Sequence, residues 1–248
     1  MFEERTYRSQ FNIKRFRSFQ VKFLETDLWI GVDPGSFQNE MEDVALGKVK
    51  ELRHKLDEYI NKEPYFLKSL KPFQPGEDAP LEAMDMASSA AKAGIGPMST
   101  VAGLFAREVG ETLLQNFSVV EMVIENGGDI YCMLKHELVL SVFAGNSPLS
   151  ERIGLIIPES MGKFGICTSS GTVGPSLSFG KADAVVVICK NVLLADAFAT
   201  AFGNEVKSPN DVEKAINKAE KFPKILSLLV ICEDKIGIRG DFEIRILK

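Results

Sequence analysis

Residues 124–132 read IENGGDIYC, and this stretch decides the fold class. Apolar runs flank Asn126-Gly127-Gly128, and an Asn-Gly pair between two such runs is a strong short-range signal for a tight hairpin. The reading is a strand over about 119–125, a turn, and an antiparallel partner over 129–134. Asp129, just past the turn, either closes the hairpin or aims a carboxylate at a ligand.

Outward from the hairpin, apolar runs near 137–144, 152–157, 163–167 and 183–189 read as further strands. Helices are expected over about 194–202 and 209–220. The final segment, 225–247, looks like two or three antiparallel strands turning at Glu233-Asp234 and at Arg239-Gly240-Asp241. In the other direction, 98–115 and 81–93 read as helices rich in small residues, parted by Gly94-Ile95-Gly96-Pro97. Met41, Val44, Ala45, Val49, Leu52, Leu56 and Ile60 recur at threes and fours, so 37–61 reads as an amphipathic helix. Residues 7–32 read as two strands with a turn at Glu25-Thr26-Asp27. Pro64, Pro72, Pro75 and Pro80 mark 62–80 as a proline-rich connection, a hinge or covering flap. Strands in runs with helices between the runs predict an α+β fold, antiparallel sheets with helices packed on one side, over one domain spanning 1–248.

Composition removes several functions. A net charge of −5 argues against non-specific nucleic-acid binding, which needs a basic surface to displace counterions. Arg5, Arg8, Lys14, Arg15, Arg17 and Lys22 form a local basic cluster, read as an exposed strand face. MFEERTYRSQF is no secretory signal, and no apolar run is long enough to span a bilayer, so a cytoplasmic protein with no membrane partner is expected. Cys132, Cys167, Cys189 and Cys232 form no CxxC pair, which argues against a zinc site or a disulfide framework.

Four segments carry candidate chemistry. In AGIGPMSTVAGLFARE (93–108), small residues at a helix start either let Gly96, Ser99 and Thr100 approach an anion or serve close helix packing. Asn126, Gly127, Gly128 and Asp129 are the second segment. In CTSSGTVGPSLSFGKADAVVV (167–187), the hydroxyls and amides of Thr168, Ser169, Ser170, Gly171, Ser176 and Ser178, with Lys181 and Asp183, suit a polar ligand such as a phosphate or a flavin edge. A solvated loop explains the same composition. No Walker spacing is present, and with only His54 and His136 in the chain a serine–histidine hydrolase is poorly supplied. In LLADAFATAFGN (193–204), Asp196 and Thr200 are one helical turn apart and share a face. They either offer hard oxygens to magnesium, or cap the helix and bond back to a carbonyl.

Taken together and in order, these segments resemble the ApbE-like superfamily of FAD:protein FMN transferases. IENGGDIYC resembles its GG-D/N turn, ICTSSG its TSG loop, ADAFATA its ADxxxTA helix start and VAGLFARE its AKGYAVD helix, over roughly residues 84–205. The GPMSTVAG and SSGTVGPSLSFGKADA loops mark a separate branch. The resemblance implies a tunnelling-type fold and, as metal ligands, Asp196, Thr200 and a backbone oxygen near Ala102. It also implies magnesium as the cation, FAD or another flavin as the small-molecule ligand, and allows a homodimer. The chain departs from the family at three places: no histidine lies between the TSG loop and the ADxxxTA helix, Val101 precedes Ala102-Gly103 where the family has the lysine of AKG, and the amino-terminal Ser-Glu-x-Ser-x-x-Asn stretch is absent. Two functions are therefore expected in competition, a magnesium-dependent flavin or nucleotide transferase and a binding protein that keeps the pocket without the transfer.

Overall fold

The computed structural model describes residues 15–159, 161–173 and 178–247. Strands β1 (Arg17–Phe23) and β2 (Thr26–Val32) are followed by helices α1 (Glu40–Lys62), α2 (Pro64–Lys68) and α3 (Leu81–Ala93). A 3-10 turn, Pro97–Thr100, leads into α4 (Val101–Asn116). Six strands come next: β3 (Met122–Asn126), β4 (Asp129–Met133), β5 (Leu138–Ser141), β6 (Ile153–Ile157), β7 (Lys163–Ser169) and β8 (Ala184–Cys189). Helices α5 (Val192–Glu205) and α6 (Val212–Lys218) precede β9 (Ile225–Cys232), β10 (Lys235–Gly240) and β11 (Ile244–Ile246).

Eight strands form one antiparallel sheet in the order β1-β2-β3-β4-β7-β8-β9-β10. Its central strands are buried along their whole length, TDLWIGV in β2 and AVVVIC in β8. That pattern requires cover on both faces, because successive side chains point to opposite sides. One face carries Leu28, Ile30, Ile124 and Val187 into a core shared with α1, α3, α4 and α5. The other carries Trp29, Val123, Ile166 and Ile188 against Leu155 and Ile157 of a second sheet, ordered β11-β6-β5. The helices do pack on one side of the sheet, as expected; the small sheet closes the other.

Several boundaries differ from the sequence reading. The first strand begins at Arg17, and residues 7–14 lie outside the described residues, as do Arg5, Arg8 and Lys14. Leu24 and Glu25 form the β1–β2 turn, since Phe23 pairs with Thr26 and Leu24 takes φ 52°. The helix expected from 98 opens as the 3-10 turn. β11 leaves β10 and pairs with β6, at the edge of the small sheet. The four cysteines are free and buried. The described basic residues are engaged: Arg15 pairs with Glu121, Arg17 lies over the Phe37 ring and Lys22 faces Asp27. In the proline-rich connection, the Ser69–Leu70 backbone lies on Gly96, where a Cβ would sit 1.8 Å from the Ser69 oxygen.

Candidate functional site

The hairpin places the first side chains. Gly127 and Gly128 take φ 67° and 102°, so both central residues of the turn adopt the left-handed region that a two-residue hairpin of this twist demands. Asn126 then pairs with Asp129, Asp129 with Cys167, and Cys167 with Val187, a row running across β3, β4, β7 and β8. Paired residues share a face, and Cys167 and Val187 belong to the helix-side core. Asn126 and Asp129 therefore face α4 and α5, and Ser169, two residues past Cys167, does the same.

Helix α5 meets this row because Gly165 admits it: a Cβ there would lie 2.4 Å from the Val192 Cα. The first turn of α5 is capped by Asn191, whose side chain accepts from the Leu194 N–H. Asp196 is thus free of the capping role considered for it on its own helix. Its Oδ2 accepts from the Gly103 N–H at 2.9 Å, satisfying an otherwise orphaned amide in the first turn of α4. Beside it, the Ala102 carbonyl accepts from Asn126 Nδ2 at 3.1 Å. Thr200, half-buried, follows one turn along α5, and Gly203 after it packs on the Ser169 hydroxyl.

Burial controls the electrostatics. Asp196 is 5% exposed, and desolvation pushes its carboxyl up to about 7 against the opposing pull of the Gly103 amide. Burial likewise raises the Cys167 thiol well above its ordinary value, and the nearby Asp129 and Asp196 carboxylates add to this. A thiol held neutral among carboxylates is a poor nucleophile.

The expected site residues fall into two groups. Ala102, Asn126, Gly127, Gly128, Asp129, Thr168, Ser169 and Asp196 come together where α4 begins, the hairpin turns and β7 ends, and the Thr168 N–H donates to the Gly128 carbonyl at 3.1 Å; Thr200 lies one turn along α5 from Asp196. Gly96, Ser99 and Thr100 flank this group in the 3-10 turn. There the Ser99 hydroxyl donates to the Gly96 carbonyl at 2.7 Å, and the Thr100 hydroxyl to the Pro97 carbonyl at 2.9 Å. The other described residues of the serine-glycine loop bond within it or to its surroundings. Ser170 Oγ accepts from the Thr172 and Val173 amides, the Gly171 N–H donates to the Ala182 carbonyl, and Ser178 Oγ accepts from the Gly180 N–H. The Lys181 N–H bonds the Val206 carbonyl, and Asp183 accepts from the Thr172 hydroxyl and the Glu233 N–H. Ser176 lies outside the described residues. Sequence reasoning passed over Glu125 and Cys167. Glu125 Oε1 braces the turn by accepting from the Gly128 N–H at 2.8 Å. Cys167 was detectable as the same-face neighbour of Ser169 in strand alternation.

The donor set fits a hard cation: a carbonyl oxygen, a hydroxyl and a buried carboxylate that makes one hydrogen bond among the described residues. No cluster of three or more His, Cys, Asp or Glu side chains among those residues could hold a metal, so backbone and hydroxyl oxygens would have to complete the shell. Neither histidine is at hand. His54 faces Glu58 on α1, and the His136 segment contacts Glu121 beyond the far end of β4. A cleft of about 630 Å³, lined by Met161, Lys190, Ile225, Arg239 and Phe242, also lies at the opposite end of β7 and β8.

An antiparallel sheet with helices on one face and these loops at one end is the ApbE fold. The flavinyl transferase ApbE of Pseudomonas stutzeri superposes with TM-score 0.58 at 14% identity, covering 90% of this chain and 93% of that one. The ApbE protein of Thermotoga maritima gives TM-score 0.60 at 13% identity, covering 91% and 97%. The family model described as "AbpE bacteria" matches residues 8–223, and the chain belongs to that ApbE-like family. Among its relatives, a UPF0280 protein of Methanocaldococcus jannaschii is 38% identical over 221 residues, 87% of each chain. A UPF0280 protein of Methanococcus vannielii is 39% identical over 228 residues, 90% of each. Among the described residues, no helix is long and apolar enough to cross a membrane.

Proposed function

We propose that the chain binds a flavin nucleotide, FAD in the first instance, with magnesium at the junction of α4 and α5, and acts there as a flavin or nucleotide transferase. The observation that carries this reading is the meeting of the Ala102–Gly103 backbone with Asp196 beside the Asn126–Asp129 turn and the Thr168–Ser169 strand end, with Thr200 one helical turn from Asp196 on α5. The Ala102, Asp196 and Thr200 oxygens would hold the cation, which when bound would neutralise charge on a nucleotide diphosphate. The chain's own groups would do the rest. The Gly127-Gly128 turn offers backbone to a close-lying ligand, Ser169 supplies a hydroxyl, and the buried walls of α4 and α5 exclude water from the Asp196 side.

The absence of a histidine from the described site favours a second reading, in which the pocket binds flavin without transferring it. One experiment separates the two. FAD is added with and without magnesium while thermal stability and AMP release are followed. Magnesium-dependent stabilisation with AMP release is the expected result; stabilisation without release supports the binding protein. No effect of FAD in either condition rejects both.

A further inference from the structure

The Ala102 carbonyl sits in the first turn of α4, and the group facing it from outside the helix is the Asn126 side-chain amide, at 3.1 Å. Asn126 is 9% exposed and is carried there by the β3–β4 register and its glycine turn. On the neighbouring residue, the Gly103 N–H occupies Asp196 Oδ2. Two of the three oxygen centres offered to a cation are therefore already met by N–H donors, each a weak positive dipole standing where full positive charge would be attracted. The two donors differ in one respect. The Gly103 amide is part of the α4 backbone and cannot withdraw without unwinding the helix, whereas the Asn126 amide turns away by rotation about its side-chain bonds.

On the cation reading of this site, we propose that Asn126 is a positioning residue that latches the Ala102 carbonyl in the cation-free protein, and that a divalent metal enters only by displacing the Asn126 amide. The latch keeps α4, α5 and the hairpin in register without the ion, at the expense of cation affinity. A residue that merely braced the hairpin would give the opposite result on removal, because the site would loosen and bind the ion less well.

The test is direct binding of Mn²⁺ to the ligand-free, full-length protein, read by the electron paramagnetic resonance of the free ion and by calorimetry. Asn126→Ala removes the competing donor and should bind Mn²⁺ more tightly by roughly fivefold, the scale of one hydrogen bond. Asn126→Asp replaces the donor with a hard oxygen at nearly the same volume and should bind more tightly still, which keeps the test alive if the alanine variant is unstable. Wild-type protein that binds Mn²⁺ as tightly as both variants overturns the latch and leaves the cation site intact. Mn²⁺ binding that is unchanged by Asp196→Ala overturns the cation site itself, and the latch with it, as does absence of binding in every form.

Discussion

The Gly103 N–H donates to Asp196 Oδ2 at 2.9 Å across 93 residues of sequence, so one carboxylate on α5 caps the first turn of α4. A buried acid in this position has two separable duties. It supplies an acceptor to an orphaned amide, and it supplies negative charge to whatever enters the site. Substitutions at Asp196 can tell these duties apart.

Asp196→Ala removes the acceptor and should cost about 1–2 kcal/mol, the ordinary value of a lost cap. Asp196→Asn keeps an oxygen for the Gly103 amide and should cost less. Both should lose any stabilisation by magnesium. Urea denaturation with and without the ion checks this, and retained magnesium dependence in the asparagine variant would contradict the proposed charge requirement.

Gly165 is the seat of α5 on β7, with the Val192 Cα only 2.4 Å from where a Cβ would stand. Backbone cannot yield there as a flexible side chain would. Gly165→Ala should destabilise the fold by roughly 3 kcal/mol through overpacking, and in calorimetry it should lower the melting temperature more than Gly47→Ala, a position on α1 where an added Cβ meets nothing within 4 Å.

Glu121 sets an acid limit on stability. Burial alone would raise its carboxyl, but Arg15 and the Lys135 and His136 amides together hold it below its ordinary value of 4.5. A depressed pKa in the folded state means that the group stabilises above the unfolded value and that this contribution is lost as pH falls through the folded one. At neutral pH, Glu121→Gln should cost about 3 kcal/mol by breaking the buried ion pair with Arg15. Below pH 4 the gap between variant and wild type should narrow, which chemical denaturation across pH 3–7 would reveal.

Gly96→Ala tests the strap laid over the 3-10 turn. A Cβ at 1.8 Å from the Ser69 oxygen forces the connection to lift. Lys68, exposed and followed by Ser69, should then be cut by trypsin several times faster than in wild type. Unchanged cleavage would mean that the strap is held elsewhere, for instance through Phe66 and Phe73, whose rings stack edge to face 5.7 Å apart.

What could be read from the residues followed from local physics. The Asn126-Gly127-Gly128 turn has few low-energy solutions, and Asp196 and Thr200 share a face in any helix, so the hairpin and the pair were legible. The partner of Asp196 was not, since nothing around residue 196 indicates that the amide it caps belongs to residue 103. The small sheet was equally hidden. Ile244 and Ile246 alternate in the same way whether β11 pairs with β10 or with β6, and both stay exposed, so no burial pattern in the segment selects its partner. Nor did the sequence show that Asp183 accepts from the Thr172 hydroxyl and the Glu233 N–H, tying its loop to the end of β9.

The row from Asn126 through Asp129 and Cys167 to Val187 is sensitive to mispairing. A one-residue slip between any two of these strands would turn half of the row toward the small sheet and dissolve the constellation. Its pieces come from segments up to about a hundred residues apart, so it cannot pre-exist in any fragment and must be completed late in folding. Cation or flavin capture by this protein would therefore serve as a quality check on the finished chain, reporting native pairing in a single measurement.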